Sequence, residues 1–181
     1  FGGRTFLENA VYALKPNCAG VKISLNRAQT AFIGKLAGDF EIVFDHFENR
    51  GALGGIHAAL RDCPTEFAVL LAVDLPLVTK SAVSKLQKIG ALWEEYAAAF
   101  VPIQTDGRPQ PLCAVFRAGI SLPILEDFLS QKSSSWAIKE FLKLLKVKFI
   151  ESSELSDDAD NLFFNVNRPA DLRQIDAGTR T

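Results

Sequence analysis

The stretch FAVLLAVDLPL, residues 67–77, decides the fold. Seven apolar residues run without polar alternation, which predicts a strand buried on both faces in the middle of a parallel sheet. Asp74 ends the run, and Leu75-Pro76 holds the backbone extended beyond it. Working outward, Phe6, Leu7, Ala10, Val11 and Leu14 carry helical spacing over 5–15. VKISL (21–25) and 41–44 read as strands, with a helix over 29–37 broken by Gly38-Asp39. A Gly- and Ala-rich helical stretch covers 53–61. Downstream, 81–95 is amphipathic, and strands over 97–103 and 112–116 meet through a turn at 105–108. Helices follow at 122–131 and 135–145, with Ser121 and Ser134 as expected N-caps. A strand at 147–150 leads into a polar loop through Asp160, and a short helix over 169–174 starts at Pro169. Strand and helix alternate, so the expected fold is a three-layer, Rossmann-like α/β sandwich with a mainly parallel sheet. No repeat or linker interrupts residues 1–181, which predicts one domain.

A chain of 181 residues buries roughly 70% of its unfolded surface. Apolar residues make up 48% and charged residues 23%, ordinary for a globular protein. Fourteen Phe against two Tyr and two Trp mark the aromatics as core filler. A net charge of −1 excludes a general attraction to nucleic acid, so any phosphate chemistry rests on a local site. Cys18, Cys63 and Cys113 are odd in number and lack metal-ligand spacing, which fits reduced thiols in the cytoplasm. No run is long and apolar enough for a membrane span, and no secretory pattern occurs. The sequence has no Met and opens on Phe1, so it is expected to continue upstream.

In open α/β sheets ligands bind beyond the carboxyl ends of the strands. Asn26, Asp45 and Asp74 follow three successive strands and are expected at that edge. Each is also a common strand-to-loop residue. Asp74 leaves a dry strand, where a lone carboxylate needs a cation or donors. Mg²⁺, held by one or two carboxylates with substrate phosphates, suits it. Gly51 and Gly54 open the GALGGIH segment, where small residues admit either a ligand or close helix–sheet packing. His57 reads as a packed or capping residue, and His46 beside Asp45 is left open. Gln110, between two prolines, presents an amide or simply stiffens a strand entry. Asn165 and Asn167 alternate onto one face, although a helix cap accounts for one of them. Asp157, Asp158 and Asp160 read as a solvated loop, with a weak cation site as the lesser reading.

GALGGIHAAL (51–60), AVDLPL (72–77), RPQPLCAVF (108–116) and FNVNRPADL (164–172) occur in this order. In sequence and spacing they resemble the molybdenum cofactor guanylyltransferases over essentially the whole chain. The resemblance implies a nucleotide-diphospho-sugar transferase type of fold. It also implies transfer of GMP from GTP to molybdenum-carrying molybdopterin, with release of pyrophosphate. By position, Asp74 resembles the Mg²⁺-binding aspartate, and Asn26, Asp45, Gly51 and Gly54 resemble nucleotide contacts. Gln110, Asn165 and Asn167 match the region that receives the pterin. GTP, molybdopterin and recipient molybdoenzymes or their chaperones are the implied partners, with neither nucleic acid nor membrane. The family's opening strand and glycine-rich loop, L-A-G-G-x-S-x-R-M-G-x-D-K, are not matched. Phe1-Gly2-Gly3-Arg4 resembles the turn just after it, so the stretch by itself is expected to be inactive. Ala52 stands where the family usually has Pro, and Val73 where Cys is common; neither change removes a ligand.

Three rivals differ in chemistry. A sister enzyme would use CTP, or a sugar phosphate acceptor, on the same fold. A non-catalytic molybdopterin carrier would bind ligand without releasing pyrophosphate. A regulatory nucleotide-binding module would need no acceptor.

Overall fold

A computed structural model describes residues 3–29, 31, 40–93, 95, 97–131, 136–168 and 170–173. In chain order its elements are α1 (Phe6–Leu14), β1 (Lys22–Leu25), β2 (Glu41–Phe44), α2 (Ala52–Arg61), β3 (Phe67–Leu71) and α3 (Lys80–Leu92). Then come β4 (Ala99–Ile103), β5 (Cys113–Arg117), α4 (Ala118–Ser130), α5 (Ile138–Leu144), β6 (Val147–Glu151) and α6 (Ser152–Leu155). Local signals fix the helix starts. Thr5 caps α1 through a reciprocal box, with Glu8 N–H donating to Thr5 Oγ1 at 3.2 Å and Thr5 N–H to Glu8 Oε2 at 2.7 Å. Thr79 caps α3 by accepting from Ala82 N–H at 3.2 Å.

Three layers follow from side-chain alternation in the sheet. Phe100, Cys113, Val115 and Ile150 point to one face and pack with Leu14 of α1, Val83 and Leu86 of α3 and Leu155 of α6. Ala99, Val101, Ala114 and Phe116 point to the other, against Leu53, Ile56 and Leu60 of α2, Leu125 of α4 and Phe141 of α5. Burying each of the large side chains stabilises by about 1.5–3 kcal/mol, so both helix layers are held by the sheet between them.

The sheet is mixed and falls into two pieces. β1 pairs in parallel with β2, and the other piece has the order β3-β5-β4-β6. β4 and β6 run parallel, whereas β5 is antiparallel to β3 and β4. The α/β sandwich expected from the sequence is present, but β3 lies at an edge and pairs antiparallel. Only Ala68 of β3 is buried, and Val73 just beyond it is 48% exposed. The reason is the space beside β3. A cavity of about 740 Å³ separates it from β1, lined by Val69 and Leu71 on one side and Ile23 on the other. Helix α2 touches β1, β2 and β3, and so holds the two pieces side by side.

Three local expectations are corrected. α4 begins at Ala118, not Leu122, because Ala118 N–H donates to Glu66 O as the chain leaves β5. Ser121 is therefore no cap; it is buried, and its hydroxyl donates to Ala98 O at 3.0 Å. After β6 the chain forms α6 before the polar loop, with Ser152 and Leu155 buried. Ser134, Gly38, Asp39, Pro169 and most of the helix expected over 29–37, namely residues 30 and 32–37, lie outside the described residues.

Candidate functional site

Asn26, Asp45 and Asp74 leave the carboxyl ends of β1, β2 and β3 and, with Gly51, border the cavity between the two sheet pieces. The strand-end rule thus places three of the sequence candidates round one opening, and Gly51 joins them from the start of α2. Gly51 carries φ +52, a left-handed conformation that a side chain would strain, and it serves as the N-cap of α2 without a side-chain bond. Arg50 just before it lies over the Trp136 ring, 4.2 Å from the centroid, and ties this loop to the start of α5.

Asp45 sits in a crowded corner. Ser24 Oγ donates to its Oδ1 at 3.4 Å, a long bond. Burial pushes its carboxyl above the usual aspartate range, opposed by the Ser24 bond and by His57 and His46. Gly54 is what admits the carboxylate, because an ideal Cβ there would stand 2.9 Å from Asp45 Oδ2 and 3.1 Å from Phe47 O. Gly54 is itself buried and does not border the cavity, so its observed part is close packing of α2 against Asp45. His57 follows one turn later and is 1% exposed. Its Nε2 faces Glu126 Oε1 at 3.3 Å, which places the proton on Nε2 and leaves Nδ1 buried without a partner among the described residues. Burial holds this imidazole below its ordinary pKa, against the pull of Glu126. His46 meets the His57 ring edge-on.

Asp74 is held from the far end of the chain. Asn165 Nδ2 donates to Asp74 Oδ2 at 3.0 Å, and Val166 N–H donates to Asp74 O at 2.9 Å. Asp74 Oδ1 is buried and has no partner among the described residues. A buried carboxylate oxygen without a donor costs free energy unless a cation meets it, and oxygen of this kind is what Mg²⁺ takes. The donor set therefore fits that ion.

The remaining candidates stand differently. Asn26 Oδ1 accepts from Gln29 N–H at 3.1 Å while Gln29 Oε1 accepts from Asn26 N–H at 3.0 Å, a reciprocal cap that occupies one side of Asn26. Gln110 spends its side chain on Gln104, with Nε2 donating to Oε1 at 2.8 Å, and lies outside the cavity lining. Asn167 is also outside the lining; its N–H donates to Asp171 Oδ2 at 2.9 Å, so Asp171 closes the turn there. Asp160 Oδ1 accepts from Thr105, Asp158 Oδ1 accepts from Asn161, and no cluster of three metal-binding side chains occurs among the described residues. Ser24 and Gln29 escaped the sequence reading, although Asn-x-x-Gln at 26–29 is a capping signal. The pairing of Asn165 with Asp74 had no signal, since 91 residues separate them.

A family model described as the MobA-like NTP transferase domain matches residues 1–146. The chain belongs to this family. Membership makes it a domain of the nucleotidyltransferase class. A relative from Bacillus licheniformis, called a probable molybdenum cofactor guanylyltransferase, is 31% identical over 72% of the chain and 63% of its own length. The molybdenum cofactor guanylyltransferase of Desulfosudis oleivorans is 28% identical over 98% of the chain and 84% of its own length. Among solved structures, molybdopterin-guanine dinucleotide biosynthesis protein A from Archaeoglobus fulgidus superposes with TM-score 0.76 at 24% identity, covering 99% of this chain and 88% of that one. The 2-C-methyl-D-erythritol 4-phosphate cytidylyltransferase of Thermus thermophilus reaches TM-score 0.63 at 16% identity, covering 99% and 91%. At these identities the structures establish the shared fold. No helix among the described residues is long and apolar enough to cross a membrane.

Proposed function

We propose that this chain is the catalytic domain of a molybdenum cofactor guanylyltransferase, transferring GMP from GTP to molybdenum-molybdopterin with release of pyrophosphate. The observation that carries the reading is Asp74, which borders the cleft and whose buried Oδ1 has no partner among the described residues, in a family of NTP transferases. Asp74 would hold Mg²⁺, which supplies charge neutralisation at the phosphates when bound. Asn26, Asp45 and Gly51 border the same cleft and are proposed as nucleotide contacts, with Gly54 setting the place of Asp45. Gln110 and Asn167 are proposed on the pterin side, together with the outer face of Asn165. The chain's part is alignment: a phosphate of the pterin is already anionic near neutral pH, so no side chain need act as base. The proposed setting is the cytoplasm, where the free Cys18, Cys63 and Cys113 stay reduced. Recipient molybdoenzymes or their chaperones are the proposed partners of the product.

We also propose that residues 1–181 form one nucleotidyltransferase domain whose sheet takes a further strand, followed by a glycine-rich loop, in the space between β1 and β3. Pairing with β5 turns the backbone groups of Glu66 and Ala72 toward it, so alternation turns those of Phe67, Val69 and Leu71 toward the cavity. Leu25 O accepts from Asp45 N–H, and the same alternation leaves the groups of Lys22 and Ser24 facing the cavity from β1. Two open strand edges facing an apolar space suit an extended segment of polypeptide better than a triphosphate. In the full-length protein the amides of Phe67, Val69 and Leu71 should exchange with solvent as slowly as those of Ala68 and Leu70. Fast exchange at the odd positions alone would sink the strand.

The activity is tested by pyrophosphate release from the full-length protein, given Mg²⁺, molybdenum-loaded molybdopterin and each nucleoside triphosphate in turn. Release with GTP that depends on the pterin is the expected result. Release with CTP instead would move the protein to a sister enzyme, and binding without release would make it a carrier. Asp74→Asn should lose turnover and keep the fold; full activity in that variant removes the metal assignment.

A further inference from the structure

Asp74 is gripped at two points by one short segment. Val166 N–H holds its backbone carbonyl and Asn165 Nδ2 holds its Oδ2, so the carboxylate cannot turn about the side-chain bonds without breaking a hydrogen bond. The segment is anchored in turn. Leu162 and Phe163 are buried in the same core cluster as Leu75 and Val78, which flank Asp74 on the other side. The grip has a chemical consequence. It fills one carboxylate oxygen and leaves Oδ1 without a donor among the described residues. It does so with a neutral amide. A Lys or Arg donor would offset the charge of Asp74, whereas Asn fixes its direction and leaves the full negative charge available.

We propose that Asn165 is a positioning residue for Asp74, aiming Oδ1 at a divalent cation instead of serving only as a contact for the acceptor. The proposal rests on the reading of Asp74 as a cation-holding carboxylate. Hydrogen-bond partners of ligating carboxylates orient the ligand, and their loss typically lowers metal affinity by about 10- to 100-fold.

The test uses Mn²⁺ as the probe, with the full-length protein in the presence of GTP. Free Mn²⁺ is read from its electron paramagnetic resonance signal. Asn165→Ala, and Asn165→Leu as the shape-preserving variant that cannot donate, should each raise the Mn²⁺ dissociation constant by about 10- to 100-fold. Urea midpoints of the two should stay near that of the parent, because Asn165 is exposed. Asp74→Asn serves as the reference. If Asp74→Asn binds Mn²⁺ as the parent does, the cation reading itself has failed. If Asp74→Asn loses Mn²⁺ while both Asn165 variants keep the parent affinity, the cation reading stands and the positioning role is overturned. A raised KM for the pterin with unchanged Mn²⁺ affinity would likewise overturn it, and would make Asn165 an acceptor contact.

Discussion

Replacing Gly54 by Ala sets two opposing effects against each other at one atom. An alanine inside a helix is favoured over glycine by up to about 1 kcal/mol. The added Cβ, however, would stand 2.9 Å from Asp45 Oδ2, 3.2 Å from Asp45 Cγ and 3.1 Å from the Phe47 carbonyl oxygen. The Asp45 carboxylate can swing aside, but the Phe47 oxygen belongs to the backbone of the loop that leads to Gly51. Overpacking of this kind costs about 1–3 kcal/mol, so the net loss should be about 1 kcal/mol. With a urea slope of about 1–3 kcal/mol/M the midpoint should fall by about 0.3–1 M. Two neighbours calibrate the measurement. At Gly55 the nearest atom to an added Cβ is Ser24 Oγ at 3.4 Å, so Gly55→Ala should be close to neutral. At Gly119, in the first turn of α4, nothing among the described residues lies within 4 Å of an added Cβ, so Gly119→Ala should raise the midpoint. Because relief at Gly54 moves Asp45, GTP should also bind more weakly to that variant and normally to the other two. A Gly54→Ala protein as stable as Gly119→Ala, with unchanged GTP affinity, would refute the packing argument.

Two further outcomes follow from buried titratable groups. His57 has its pKa lowered from 6.5, chiefly by burial, so the unfolded chain takes up a proton at a pH where the folded chain still resists it. Stability is then complete above 6.5 and falls as pH is lowered through 6.5 toward the depressed folded value. Urea midpoints taken from about pH 5 to 8 should show this slope, and His57→Gln should flatten it; an unchanged slope would assign it elsewhere. Burial pushes the Cys113 thiol up to about 12, whereas Cys18 and Cys63 are only half-buried. Iodoacetamide at about pH 8 should label the latter two in the folded protein and reach Cys113 only after unfolding, with equal rates at all three contradicting the burial.

Residues that line the cleft were legible in the sequence where local chemistry determines them. Asp74 at the end of an apolar run, Asn26 and Asp45 after shorter strands, and Gly51 at a helix start are all short-range signals, and they converge on one cleft. Sequence reasoning found α1, α2, α3 and the body of α4 and α5 because their apolar spacing is periodic, and missed the four-residue α6. It misjudged partners. An unbroken apolar run such as 67–73 states that the strand meets apolar surroundings, not which strand lies beside it or in which direction. Here β3 borders β5 antiparallel and a cavity on its other side. Ser121 as the expected N-cap put a helix start at residue 122, yet α4 runs from Ala118 through it, because its first turn grows directly from β5. Gly54 could not be separated into packing or ligand approach until the Asp45 carboxylate was seen beneath it.

The bond from Asn165 to Asp74 closes a loop of 91 residues, which has a meaning during synthesis. A ribosome adding about 5–20 residues per second reaches Asn165 roughly 5–18 seconds after Asp74. Through that interval the growing chain carries Asp74 without the amide that bonds to its Oδ2. On the proposal that Asn165 aims Asp74, the emerging chain would hold a divalent cation about 10- to 100-fold more weakly until nearly all of the described residues have been made.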